Sequence, residues 1–177
     1  MKEIIKRSIF KNGLYAGGIL AAYFLIIYLI GINFYKMSFV TFLIQTAVIL
    51  TFMFKGISSA RKQSSEQKIN TLSAIMIAVN VMFISLMCFF TMKMLILFVI
   101  DFGYNEFCIN EIYLQTLQVM NSFPQYADKM GNPEDIKQIL IFKNNLVYIV
   151  YYFITSVVIG SLAGLVAKKK NRLEDNI

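Results

Sequence analysis

The sequence predicts an all-α integral membrane protein with four transmembrane helices. Both termini are expected in the cytoplasm, with an amphipathic helix in the long outer loop between spans three and four. Three observations predict this. Apolar residues make up 58 % and charged residues 15 % of the 177, against roughly 45–50 % and 25 % in a soluble domain. Four apolar runs carry no charge over about the 20 residues that a membrane-crossing helix needs. The basic residues are divided unevenly among the segments that join those runs.

The first run lies between Lys11 and Lys36, the second between Lys36 and Lys55, the third between Lys68 and Lys93, and the fourth between Lys143 and Lys168. They place spans at about 13–35, 37–54, 70–93 and 144–167 of a single membrane domain, 1–177. The first run is long for a signal peptide and lacks a small-x-small cleavage site, so it reads as a retained helix. The third run resumes after Lys93, whose flexible stem is expected to carry its ammonium into the headgroups. Orientation follows from Lys and Arg. The N-terminal segment, the turn from Lys55 to Lys68 and the C-terminal tail hold 12 of the 17, and the opposite side holds 5. The positive-inside rule therefore puts both termini in the cytoplasm, with a net charge of +8 inside and −1 outside. These basic faces are short and lack interleaved aromatic platforms, so they fix topology and meet anionic lipid; no nucleic-acid partner is expected.

The outer loop, 101–143, opens with a stretch in which Gly103 and Asn105 predict a turn. Beyond it Ile109, Ile112, Tyr113, Leu117, Met120, Phe123 and Ala127 recur at helical spacing. They predict an amphipathic helix over about 109–130, kinked near Pro124, lying along the membrane or capping the bundle. A second helical segment over 133–143 starts at Asn132, a good N-cap, and Pro133, which suits the first helical position. Joined to span four it would be about 52 Å long, against a hydrocarbon core of about 30 Å. Two to three turns would then stand above the membrane.

Histidine is absent, which removes the commonest general base and the commonest metal ligand. Two cysteines cannot build a zinc site or a disulfide framework. Cys88 reads as a small apolar filler, and its distance from Cys108 argues against a bridge. No phosphate loop, dinucleotide fingerprint or nucleophile with a base is present, so no catalytic residue, cofactor or metal is expected. Two constellations remain. Tyr23, Gln45, Asn80, Thr155 and Ser156 place hydrogen-bonding side chains near one depth, and Gln45 and Asn80 are expected to bond across a helix interface, against the alternative of a polar cavity. Gly13, Gly17 and Gly18 in span one and Gly160 and Gly164 in span four form small-residue stripes. Their matching depth predicts that spans one and four touch; the alternative is a homodimer contact. Tyr148, Tyr151 and Tyr152 read as an interfacial aromatic belt.

Three stretches carry a family resemblance: Lys11-Asn-Gly-Leu-Tyr-Ala-Gly17; the basic turn from Gly56-Ile57 through Arg61-Lys62 to Lys68-Ile69; and Gly131-Asn132-Pro133 with the span that ends in Lys168-Lys169-Lys170. The chain resembles the bacterial membrane family called domain of unknown function 4199. That resemblance implies a four-span protein of the bacterial inner membrane and transfers no functional residues. The expected function is a non-enzymatic scaffold or accessory subunit acting through the outer loop and helix faces. Its partners would be the lipid bilayer and a membrane protein or a second copy. The alternative is a small transporter or lipid-handling protein that uses the midplane polar layer.

Overall fold

In an apolar medium a backbone has only itself to bond, so long apolar runs wind into helices. Neither of the chain's two prolines falls in such a run. The computed structural model describes residues 2–64, 69–123, 135, 137, 138 and 142–174, the last stretch with side chains over 145–166. Its helices are α1 (Lys2–Ile30), α2 (Ser38–Gln63), α3 (Thr71–Leu95) continued by a π-helical turn (Ile96–Ile100), α4 (Phe102–Ser122) and α5 (Phe142–Glu174). The described residues form no strand. Four helical stretches, Lys2–Ile30, Ser38–Gln63, Thr71–Ile100 and Asn145–Val166, are long and apolar enough to cross a membrane. This is the architecture of a multi-pass membrane protein.

The helix ends follow local chemistry. Gly31 takes a φ of +74°. Its N–H donates to Tyr28 O and the Ile32 N–H to Ile27 O, which closes α1 as a Schellman motif. The first span thus stops at Ile30, short of the expected 35, and residues 31–37 make a turn. Asn70 caps α3 by accepting from the Ser73 N–H at 2.8 Å. Asp101 caps α4 in the same way through the Tyr104 N–H at 2.9 Å. That cap corrects the expected turn over Gly103 and Asn105: both lie in the first helical turn of α4, where one glycine costs only about 1 kcal/mol. The basic segment after Lys55 is likewise helical as far as Gln63, and α1 takes in the N-terminal basic residues from Lys2 onward. The expected starts at Asn132 and Pro133, the kink at Pro124 and Lys68 lie outside the described residues.

α3 is the axis of the bundle. Its buried residues include Ala74, Ile77, Ala78, Val81, Met82, Ser85, Leu86, Phe89 and Phe90, a spacing that covers two faces. α1 packs on one of them. A Cβ added to Gly13 would meet Ile84 Cβ at 2.9 Å, and one added to Gly17 would meet Cys88 Cβ at 2.6 Å. Residue numbers rise together in these pairs, so the two helices are parallel. α5 packs on α3 the other way round: Gly160 faces the Val79 backbone and Gly164 the Ile75 backbone, each leaving only 2.7 Å for a Cβ.

These contacts correct the expectation that spans one and four touch. Both glycine stripes face α3, and α1 and α5 are not among the helix pairs in substantial contact. Gly18 faces open space. The physical reason is that α3 lies between α1 and α5 and sets Ile84 and Cys88 on one side, and the backbone at Val79 and Ile75 on the other, into the space the glycines leave. α2 closes the remaining side against α1 and α3. There the Ser8 hydroxyl donates to Gly56 O at 2.7 Å, and Tyr23 and Thr41 share a hydrogen bond of 3.1 Å.

Candidate functional site

The expected midplane layer does not form a network. The Asn80 amide donates to Met76 O at 2.8 Å, the Thr155 hydroxyl to Tyr151 O and the Ser156 hydroxyl to Tyr152 O, both at 2.6 Å. Each thereby satisfies itself on the turn below, a local bond open to any helical Ser or Thr. Among the described residues Gln45 and Asn80 do not bond each other, which corrects that expectation; Gln45 is half-buried on α2. Tyr23 reaches α2, but through Thr41.

The end of the bundle that carries the 31–37 turn, here called the outer end after the expectation from charge, is different. The turn 31–37 sits between the ends of α1, α3 and α4, and Asn33 at its centre is 5 % exposed. Its Oδ1 accepts from the Tyr35 and Lys36 N–H groups. Its Nδ2 donates to Cys108 O at 2.7 Å and to Glu111 Oε2 at 2.8 Å. One side chain therefore folds the turn and docks it on α4. Lys36 adds an ion pair with Glu111. The Lys36 hydrogen bond, with Asn33 second, holds the Glu111 carboxyl below the usual carboxylate range. The Tyr104 hydroxyl donates to Ile32 O at 2.6 Å, and the Tyr28 hydroxyl donates to Asp101 Oδ2 at 3.1 Å. Burial raises the Tyr35 and Tyr104 phenols and the Cys108 thiol above their ordinary values. The phenols therefore stay protonated donors at neutral pH.

Under this turn lies Lys93, 7 % exposed. Its Nζ donates to Asn145 Oδ1 on α5 at 3.2 Å and faces three aromatic rings. The centroids of Phe34 and Tyr148 are 5.4 Å away and that of Tyr35 is 5.6 Å away. This corrects the reading of Lys93 as a headgroup-level lysine. The stem does not escape to water, because the turn and the start of α5 close over it and ring faces replace the headgroups. Tyr148, read from the sequence as interfacial belt, is one wall of this enclosure. On α4, Asn105 is fully buried. Its Oδ1 accepts from the Tyr35 hydroxyl at 3.2 Å, while among the described residues none accepts from its Nδ2.

Sequence reasoning missed Asn33, Asn105 and Asn145. The one signal was Lys93, the charge that interrupts an otherwise continuous apolar run. Cys88 and Cys108 are both free thiols, as their spacing suggested. Comparison with known proteins adds no relative: no family model, curated protein or solved structure matches the chain.

Proposed function

We propose that this chain is a non-enzymatic scaffold or accessory subunit of the bacterial inner membrane, with both termini in the cytoplasm and its working surface at the outer end. The observation that carries this reading is where the polar chemistry lies. At mid-depth the bonds of Asn80, Thr155 and Ser156 stay within one helix and α3 fills the axis with apolar side chains. At the outer end Asn33, Tyr35 and Tyr104 tie the 31–37 turn to α4, and Lys93 ties α3 to α5 and, through the Phe34 and Tyr35 rings, to that turn. A surface whose elements are already bonded to one another suits docking, because less order has to be gained when a partner binds. The charge asymmetry supports the orientation, and the resemblance to domain of unknown function 4199 supports the compartment.

α4 supplies the surface. Tyr104, Asn105, Cys108 and Ile109 are buried, whereas Leu114 and Phe123 further along are exposed. An amphipathic helix placed this way meets the membrane plane or a partner with its apolar positions. Copurification of the tagged full chain from native membranes tests the proposal. A constant membrane-protein partner, lost when α4 surface residues such as Leu114 are changed to Lys, is the expected result. A monomer carrying only lipid would overturn it.

That last outcome would favour lipid handling, and one feature speaks for it. A groove of about 390 Å³ between α1 and α3, lined by Ala21, Phe83, Ile84, Met87, Cys88 and Leu95 among others, is mostly apolar and open to the surface of the bundle. It suits an acyl chain.

A further inference from the structure

Among the described residues Lys93 is the one buried charged side chain, and no carboxylate among them lies within ion-pairing distance of its Nζ. An ammonium carries three N–H donors and an amide nitrogen two. Asn145 Oδ1 accepts one of the three on Nζ, and none of the described residues accepts from Asn105 Nδ2. Among the described residues two donors on Nζ and two on Nδ2 are thus left without an acceptor. Tyr35 joins the two residues: its ring lies 5.6 Å from Nζ and its hydroxyl donates to Asn105 Oδ1. The ring faces of Phe34, Tyr35 and Tyr148 offset part of the charge but carry no lone pair.

We propose that Lys93 and Asn105 form a binding site for a small monovalent anion, of halide size, at the outer end of the bundle. Water would answer the donors but leave the charge without a counter-charge, which is the more costly of the two deficits in a buried site. An anion answers both. The enclosure limits its size, since three rings stand within 5.4 to 5.6 Å of Nζ. Tyr148, 43 % exposed, is the wall that meets the outside and marks the entry. This site is independent of whether the outer face docks a protein.

Bromide is the probe. In detergent-solubilised full-length protein the bromide NMR linewidth is expected to show a saturable component that chloride displaces and gluconate, too large for the enclosure, does not. Asn105→Leu removes the amide and with it one bond to the ion, and is expected to weaken bromide about tenfold, the effect of one charge-assisted hydrogen bond. Lys93→Met keeps the stem, removes the charge and is expected to abolish the saturable component. Should Lys93→Met fail to fold, anomalous scattering from bromide in crystals of the native chain decides: a peak within hydrogen-bond distance of Lys93 Nζ and Asn105 Nδ2 is expected. Water alone at that place, a bromide peak only elsewhere, or a saturable component unchanged by Asn105→Leu would overturn the proposal.

Discussion

In the middle of the bundle Asn80, Thr155 and Ser156 bond carbonyls four residues back on their own helices. At the outer end Asn33, Tyr35, Lys93 and Tyr104 bond partners between 52 and 78 positions away. Apart from the Tyr23–Thr41 bond between α1 and α2, helix association below that end rests mainly on shape, above all on the glycines that let α1 and α5 approach α3. Association at the outer end rests on directed polar bonds. Lipid tails are as apolar as the helices they would replace, so packing is what is left to hold the middle. The outer end competes with water, and buried bonds that exclude it give that end its definition.

The sharpest way to break this comparison is to fill the glycine seam. Gly160→Leu with Gly164→Leu places side chains where a Cβ alone would lie 2.7 Å from the α3 backbone. A loss of about 3 kcal/mol or more is expected for the pair, seen as a collapse of the thermal unfolding midpoint in detergent. Gly18→Leu, which meets nothing within 4 Å, is expected to stay within about 0.5 kcal/mol of the native chain. Should the double variant keep its stability and lose only self-association, the seam would belong to a dimer and not to the fold.

Next comes Asn33→Ala. It removes four hydrogen bonds at once and leaves Cys108 O and two turn N–H groups to find other partners. A loss of about 2–3 kcal/mol is expected, together with faster proteolysis of the 31–37 turn. Asn80→Leu is the counterpart at mid-depth. Its amide serves only its own helix, so a change below about 1 kcal/mol is expected. Equal losses from the two variants would mean that the midplane is held by a network after all.

The four spans were legible in the sequence because a membrane imposes a length and a polarity that no local detail overrides. The glycine stripes were legible as packing surfaces but not as a pairing. Gly13 and Gly160 each announce a close approach, and neither names the face it meets. The small side chain that gives way to Gly17 is Cys88, on a helix with no glycine stripe of its own. Lys93 was legible as an anomaly, but its enclosure depends on Phe34, Tyr35 and Tyr148, which come from two segments far away in the chain. Asn105 was hidden for a local reason: together with Gly103 it reads as a turn, whereas the Asp101 cap draws both into a helix. A buried asparagine on a helix carries no periodic signal.

The smallest expected effect concerns the rim of the outer end, where Lys36 pairs with Glu111. Both side chains are more than a third exposed, so the pair is screened by solvent and salt. The sign of its pH dependence is nevertheless fixed. The Glu111 carboxyl is held below its ordinary value of 4.5 by Lys36 and Asn33. A group whose folded value is depressed stabilises the fold above its unfolded value, and that contribution is lost as pH falls through the folded one. The thermal midpoint of the native chain is therefore expected to exceed that of Glu111→Gln by a small margin at neutral pH. The margin should close as pH falls below the ordinary 4.5 and should shrink in high salt. If it instead persists unchanged in acid, Glu111 contributes by shape, as the acceptor for Asn33, and the rim follows the same uncharged logic as the buried turn beneath it.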